Sequence, residues 1–279
     1  MSTSIAAVDQ EKRDGRGFWD ANPCGGQWES YAAFLKWYRE TEPYMFDIVD
    51  QHNWEGMRVL EVGCGQGPLV NHLPMRGASM VGMDMSLESL QRAAAGAREL
   101  HWGSRVGLLQ ADAERLPFPD AHFDAVVSFG VLHHTPDTAG SIRELRRVLR
   151  PGGRAIVMLY RRHNPKWFAT RVLRSVGRYL DRRKGTLVET SRQSLDVNDR
   201  KGTALLELFG VPTLKAYSNA ESRAMFEGFS EVSIRNYQPG FLRLADIVRV
   251  LRPLAPLLGF IDRHTQQLFG FYQVIEARR

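Results

Sequence analysis

Short apolar runs recur along the middle of the chain, and segments that suit helices separate them. The runs that predict buried strands are 58–62, 78–83, 106–110, 123–129 and 154–160. The segments that predict helices are 68–75, 87–100 and 138–149. In the last of these, Asp137 can cap the first turn, and Gly152 and Gly153 follow the stop. Strands that alternate with helices form a parallel sheet covered on both faces, so the pattern predicts an α/β core.

The segments on either side of this core carry other patterns. Residues 1–17 are polar and are expected to be mobile. Residues 18–28 combine turn formers with two tryptophans and predict an ordered loop. Residues 31–49 place apolar side chains on one face of helices. The runs 229–237 and 269–277 predict two further strands.

Two further segments predict basic amphipathic helices. The first has an apolar face and a basic face, formed by Phe168, Val172, Val176 and Tyr179 and by Arg171, Arg174 and Arg178. The second, 241–264, has an apolar stripe of Leu244, Ile247, Val248, Leu251 and Leu254 and the charges Arg243, Arg249 and Arg252. A surface helix with a solvated basic face is the more ordinary explanation. Contact with a membrane surface or an acidic partner is the alternative.

Chemically informative residues gather where the predicted strands end. The loop after the first strand turns on three glycines, Gly63, Gly65 and Gly67. Glycine permits positive φ and lets the backbone approach a ligand, and a helix beginning near Pro68 would aim its N-terminus at that ligand. Acidic side chains lie in or directly after the first three strands, at Glu61, Asp84 and Asp112. The pattern predicts a nucleotide-type binding crevice at this edge of the sheet.

Together these motifs resemble the class I S-adenosylmethionine-dependent methyltransferases, in particular the small-molecule type that acts on ubiquinone precursors and natural products. The matching residues are Glu61-Val62-Gly63-Cys64-Gly65-Gln66-Gly67, Asp84, Asp112, Leu132-His133-His134-Thr135-Pro136-Asp137 and Leu149-Arg150-Pro151-Gly152-Gly153. They occur in the family's order and spacing over about 58–160. A nicotinamide- or flavin-binding domain would need a third glycine where Pro68 stands, which disfavours that rival.

The resemblance implies a fold and a division of the chain. The implied fold is a Rossmann-like, doubly wound sheet of seven mostly parallel strands with an antiparallel edge strand, with a helical N-terminal cap and helical insertions. We expect a cap or lid in 1–50, the S-adenosylmethionine-binding core in 51–160, a basic helical insertion in 161–228, and a strand pair with a helical insertion in 229–279.

The resemblance also implies a set of cofactor-binding residues. They are Glu61, Gly63, Cys64, Gly65, Gly67, Asp84, Met85, Asp112, Ala113 and Phe129. By position, Glu61 takes the ammonium of the cofactor, Asp84 the ribose hydroxyls and Asp112 the adenine amino group. The product would be S-adenosylhomocysteine.

Two histidines follow the fourth strand and are candidates for a general base, because imidazole titrates near neutral pH. The resemblance favours His133 for this role, with His134 second and more often structural. Tyr31, Trp28 and Tyr160 are candidates for contact with the substrate, although packing of the cap onto the sheet would also explain Tyr31 and Trp28. No cluster with metal-ligand spacing is visible, so no metal is expected.

Composition and charge narrow the class of protein. The 279 residues are 43% hydrophobic and carry a net charge of +6. Residues 161–184 hold nine Lys/Arg against Asp181 alone, a charge of +8, which leaves about −2 for the rest. Charge so confined argues against a general nucleic-acid surface. Two cysteines, without metal spacing, favour a reducing, cytoplasmic setting.

Three functions remain open at this point. The first is methyl transfer to an oxygen, nitrogen or carbon of a small apolar or aromatic metabolite, as in secondary metabolism. The second is a membrane-surface methyltransferase of lipids or quinones, which would use the basic segments for peripheral membrane contact. The third is a non-catalytic relative that binds the cofactor or a partner. The oligomeric state and the acceptor atom are not encoded in any motif.

Overall fold

The strands predicted from the apolar runs form one seven-stranded sheet. The computed structural model describes residues 5–26, 28–164, 167–168, 171–172, 175, 211–240 and 253–279. The strands are β1 (Arg58–Val62), β2 (Ser79–Asp84), β3 (Val106–Gln110), β4 (Phe123–Phe129), β5 (Leu149–Tyr160), β6 (Ser230–Tyr237) and β7 (Tyr272–Arg278). Their spatial order is β3-β2-β1-β4-β5-β7-β6.

The sheet is parallel from β3 to β5, and β7 runs antiparallel to both of its neighbours. The chain begins at the centre of the sheet with β1, winds outward to β3, and then crosses to β4 on the other side. This arrangement confirms the predicted Rossmann-like α/β class with an antiparallel strand near one edge. The point where the winding reverses, between β1 and β4, is where such sheets open a ligand crevice.

Helices cover both faces of the sheet. Among the described residues they are α1 (Ile5–Ala21), α2 (Tyr31–Thr41), α3 (Pro43–Val49), α4 (Leu87–Glu99), α5 (Thr138–Val148), α6 (Asn219–Met225) and α7 (Ala255–Phe269). The predicted cap is present, since Asp137 accepts from the Gly140 amide, and Ser86 caps α4 by accepting from the Ser89 amide. Ser218 and Glu221 form a reciprocal capping box at the start of α6.

The first departure from prediction concerns the N-terminus. Residues 5–21 form α1 instead of a mobile segment and a loop. Phe18 is buried. Lys12 forms ion pairs with Asp112 and Glu114, which follow β3. Tertiary contacts therefore stabilise a helix that the local pattern of apolar residues does not predict.

The second departure follows the glycine loop. The helix predicted over 68–75 is absent, and turns lead into a 3₁₀ helix over Leu73–Arg76. Pro74 explains this, because it has no N–H to donate to the Val70 carbonyl and its ring clashes with a helical turn before it. In this described stretch, the glycine loop is therefore followed by turns and a 3₁₀ helix, and the expected α-helix N-terminus is absent.

Several predictions fall on residues outside the described ranges. These are Val176, Tyr179, Arg174 and Arg178 of the first basic segment and residues 241–252 of the second. Of the first segment, Phe168 and Val172 are described and exposed. The four-part division of the chain stays a prediction.

Candidate functional site

A cavity opens at the carboxyl ends of the parallel strands. Residues that end or follow β1, β2, β3, β4 and β5 form its floor, and residues of α1, α2 and α3 contribute further lining. Nine of the ten predicted cofactor residues line it: Glu61, Gly63, Cys64, Gly65, Asp84, Met85, Asp112, Ala113 and Phe129. The tenth, Gly67, lies behind the loop and packs against Val70 and Ala93.

The glycine loop needs glycine for two different reasons. Gly63 has φ +73°, and an added Cβ would lie 2.1 Å from the Val131 side chain. Gly65 has φ +52°, yet an added Cβ would meet no protein atom within 4 Å. Packing excludes a side chain at the first position, whereas the second faces open space in the cavity. A ligand can approach the backbone there.

Asp84 fixes the shape of this loop. Its carboxylate accepts hydrogen bonds from the Gly65 amide at 2.8 Å and from the Ser86 amide at 2.9 Å. Burial raises the pKa of Asp84, and the backbone donors at Ser86 and Gly65 partly oppose that shift. A carboxylate held in this way presents its remaining acceptor capacity to the cavity.

Glu61 brings a carboxyl group with an unsatisfied oxygen to the lining of the cavity. Its side chain is buried, and among the described residues its Oε2 atom has no hydrogen-bond partner. Burial raises the pKa of Glu61 well above its usual range, the Val70 amide partly offsets this, and Asp84 adds to it. An uncompensated buried carboxyl group is costly unless a cation or donor meets it. The ammonium group of S-adenosylmethionine fits that requirement.

Asp112 has a partner that the sequence pattern did not reveal. The Lys12 ammonium of α1 lies 2.6 Å from Asp112 Oδ2 and 2.5 Å from Glu114 Oε2. Lys12 itself lines the cavity. The proposed adenine contact at Asp112 is therefore shared with a lysine from the N-terminal helix.

Aromatic and sulfur-containing side chains wall the other half of the cavity. They are Trp19, Trp37, Tyr38, Tyr44, Met45, Phe129, Met158, Tyr160 and Tyr272. The Tyr272 ring stacks on Tyr44 with centroids 5.1 Å apart and on Tyr160 at 5.6 Å. Tyr160 was predicted here. The aromatic residues of α2 and α3 that line the cavity belong to an aromatic-rich stretch, 31–49, which the sequence makes visible. Nothing in the local sequence indicates that Tyr272 lines the cavity.

Tyr31 and Trp28 do not line this cavity, contrary to the prediction that they contact substrate. The Tyr31 hydroxyl lies 2.9 Å from the Gln66 carbonyl and 2.6 Å from the Gly67 carbonyl, and it accepts from Asn71 Nδ2 at 2.9 Å. Tyr31 thus holds the glycine loop from outside. The Trp28 indole N–H donates to the Gly25 carbonyl, and its ring packs on Trp37, which does line the cavity.

The two histidines take different positions. His133 is fully buried and outside the lining, with its ring 3.8 Å from that of Tyr160. Burial, and then the neighbouring His134, lower the pKa of His133 well below its usual range. His134 lines the cavity, and its Nδ1 lies 2.7 Å from the Thr213 carbonyl. Of the two histidines, His134 is therefore the one that lines the cavity, and a catalytic role for either stays a prediction.

The described residues show neither a metal site nor a membrane span. Within the described ranges, no group of three or more His, Cys, Asp or Glu side chains is arranged to hold a metal ion. None of the described helices has the length and apolar character needed to cross a membrane.

Part of the chain matches a known family model and named relatives. Residues 60–157 match the family model described as a methyltransferase domain. The ubiquinone biosynthesis O-methyltransferase of Alkalilimnicola ehrlichii is 35% identical over 153 residues, which are 54% of this chain and 61% of that protein. The 27-O-demethylrifamycin SV methyltransferase of Amycolatopsis mediterranei is 41% identical over 100 residues, 36% of this chain and 37% of that protein.

The sequence matches cover only part of the chain, whereas the match in fold covers nearly all of it. The chain spans less than two thirds of the length of either relative. The crystal structure of the [4+2]-cyclase SpnF superposes with a TM-score of 0.56 at 20% identity and covers 96% of both chains. That similarity concerns the fold alone, since one fold hosts many functions.

Proposed function

We propose that this chain, whose residues 60–157 match a methyltransferase domain model, is a class I S-adenosylmethionine-dependent methyltransferase that transfers the methyl group of that cofactor to an oxygen, nitrogen or carbon of a small apolar or aromatic metabolite. One observation carries the proposal. A single cavity joins the glycine loop and its acids to an aromatic wall that includes a histidine. Cofactor and acceptor could therefore meet inside one enclosure.

The residues present fit the cofactor. Glu61 offers a buried carboxyl group for its ammonium, Gly65 leaves open space for close approach, and Asp84 offers carboxylate oxygen to its ribose hydroxyls. When bound, the cofactor supplies an electrophilic methyl group on a sulfonium. The chain would then contribute mainly by position, which can supply about 7–11 kcal/mol of a barrier.

His134 is the group best placed to take a proton from the acceptor. A carbonyl oxygen can only accept, so the contact with Thr213 requires the proton of neutral His134 to reside on Nδ1. The basic lone pair is then on Nε2. Such a base matters for a hydroxyl acceptor, whose proton must leave as the methyl group arrives.

The aromatic wall supports an apolar or aromatic acceptor. Flat rings at Tyr44, Tyr160 and Tyr272 favour stacking contacts with another ring. Two relatives are named for ubiquinone biosynthesis and for a rifamycin, which supports a metabolite of this kind. Secondary metabolism and a cytoplasmic location stay predictions.

Calorimetry tests the cofactor assignment. S-adenosylmethionine and NADH are titrated into the wild type and into Asp84→Ala. We expect binding of S-adenosylmethionine that the substitution weakens strongly, and no binding of NADH. Extracts are then incubated with isotope-labelled cofactor and searched for a methylated metabolite. Binding of NADH, or of neither compound, would end the methyltransferase proposal.

Two observations favour a first alternative. Exposed apolar side chains lie on α7, at Leu257, Phe260 and Leu268, and at Phe168 in the segment 161–184, which is strongly basic. These features suit a lipid or quinone methyltransferase at a membrane surface. Sedimentation with anionic vesicles tests it, and full recovery in the supernatant would exclude it.

The second alternative is a cofactor-binding relative that does not transfer methyl groups. It predicts that S-adenosylmethionine binds but that no labelled product forms in any extract.

A further inference from the structure

Helix α1 contacts both halves of the cavity. Glu11, Lys12, Gly15 and Trp19 all line it. The spacing of Glu11, Gly15 and Trp19 places them along one face of a helix. One side of α1 therefore faces the cavity.

Lys12 anchors α1 at the cofactor half. Its ammonium bridges Asp112 and Glu114, which follow β3. The lysine side chain is about one quarter exposed and Glu114 less, so water screens this pair only partly. Because Asp112 is also the proposed adenine contact, the anchor and the cofactor share one carboxylate.

Glu11 anchors α1 at the acceptor half through a second residue. Its Oε1 atom accepts a hydrogen bond from the Thr213 hydroxyl. The carbonyl of the same Thr213 accepts from His134 Nδ1 at 2.7 Å. Two hydrogen bonds thus connect α1 to the histidine that faces the cavity.

We propose that Glu11 and Thr213 are positioning residues that fix the tautomer and orientation of His134. Through these two residues, α1 aligns the base toward the cavity. The role in the reaction rests on the proposed methyl transfer, whereas the effect on the imidazole does not. Lys12 anchors α1 to the cofactor half of the cavity and Glu11 anchors it to the acceptor half. Because the two residues are adjacent, both anchors lie on the same turn of α1.

Other contacts keep the segment around Thr213 in place without this hydrogen bond. The Lys215 amide donates to the His133 carbonyl at 3.1 Å, and its ammonium donates to the carbonyls of Thr135 and Pro136. Loss of the Thr213 hydroxyl should therefore loosen the histidine contact without unfolding the segment. Among the described residues, the titratable groups near His134 include His133 and Tyr160, with ring centroids at 4.2 and 5.8 Å. They also include Glu11, through Thr213, and Lys215, through the carbonyls of Thr135 and Pro136.

Thr213→Val and Thr213→Ser form the matched test, because valine keeps the shape and serine keeps the hydroxyl. Nitrogen-15 NMR of the histidine rings, without cofactor, reports which nitrogen of His134 carries the proton. We expect protonated Nδ1 in the wild type and in Thr213→Ser, and a mixture of tautomers in Thr213→Val. Glu11→Ala should resemble the valine variant, and Glu11→Gln, whose amide oxygen still accepts, should resemble the wild type.

Kinetics supply the second measurement. General-base catalysis contributes roughly 10²–10⁴-fold, so partial loss of alignment should lower kcat about 10-fold in Thr213→Val. The pH profile should shift, and the Kd for S-adenosylmethionine should stay within about twofold of the wild-type value. An unchanged tautomer in Thr213→Val would overturn the inference even if methyl transfer is intact. Absence of methyl transfer in the wild type, with the tautomer shift observed, would instead count against the proposed function alone.

Discussion

Replacing Glu61 with glutamine should stabilise the ligand-free protein while weakening its cofactor site. Glutamine keeps the size and one oxygen of the side chain but cannot ionise. In the wild type, burial raises the pKa of Glu61 well above its ordinary value of 4.5. The folded state therefore holds a proton over a pH range in which the unfolded state has released it.

The sign and size of the effect follow from proton linkage. Because the folded state binds more protons, the stability that Glu61 retains below pH 4.5 is lost as pH rises toward its folded-state pKa. One pH unit within this range corresponds to about 1.4 kcal/mol. As pH rises above 4.5, the free energy of unfolding of Glu61→Gln should thus gain up to about 1.4 kcal/mol per pH unit relative to the wild type, until pH reaches the folded-state pKa of Glu61.

Urea unfolding of the ligand-free wild type and Glu61→Gln at pH 5, 6 and 7 measures this difference. Glu29→Gln serves as the control, because Glu29 is exposed and its substitution makes the same chemical change while leaving the buried carboxyl group of Glu61 in place. Calorimetry should show the opposite effect on the cofactor, because a charge-assisted hydrogen bond of about 1.5–3 kcal/mol is lost. That corresponds to about a 10- to 150-fold increase in Kd. A stability difference independent of pH would refute the interpretation of Glu61 as an uncompensated buried carboxyl group.

Four further predictions concern the loop and its supports. Asp84→Asn can accept only one of the two amide hydrogen bonds seen from Gly65 and Ser86, so it should weaken S-adenosylmethionine binding by about 1–3 kcal/mol, read by calorimetry. Tyr31→Phe removes the hydroxyl that contacts the loop and should cost about 1–3 kcal/mol in urea unfolding, and an unchanged midpoint would contradict the role given to Tyr31. Gly65→Ala should lose about 1–2 kcal/mol of stability because its φ is positive, and it should also weaken cofactor binding because its methyl group enters the cavity. Gly63→Ala should destabilise the fold by more than Gly65→Ala, because its methyl group would overlap Val131.

The glycine loop and the acids were predictable from sequence because the relevant physics is local. A strand end, a positive φ and a carboxylate at the next strand end recur at fixed spacing. In a parallel sheet the carboxyl ends of strands meet at one edge. Nine of the ten predicted cofactor residues therefore line one cavity.

Other parts of the site depended on contacts between distant segments. Lys12 meets Asp112 across 100 positions of the chain, and Thr213 meets Glu11 across 202. No periodicity marks such pairs, because each residue alone is an ordinary polar residue of a helix or loop.

The two histidines show the same division between sequence and tertiary structure. The sequence alone determined that an imidazole pair follows β4 at the ligand edge of the sheet. Which imidazole faces the cavity depended on the packing of His133 against Tyr160 and on the Thr213 carbonyl beside His134. Local patterns fix strands, glycine turns and the edge at which they meet, since these follow from φ, side-chain period and chain direction. The burial and tautomer of a side chain are set by neighbours that only the folded chain brings together.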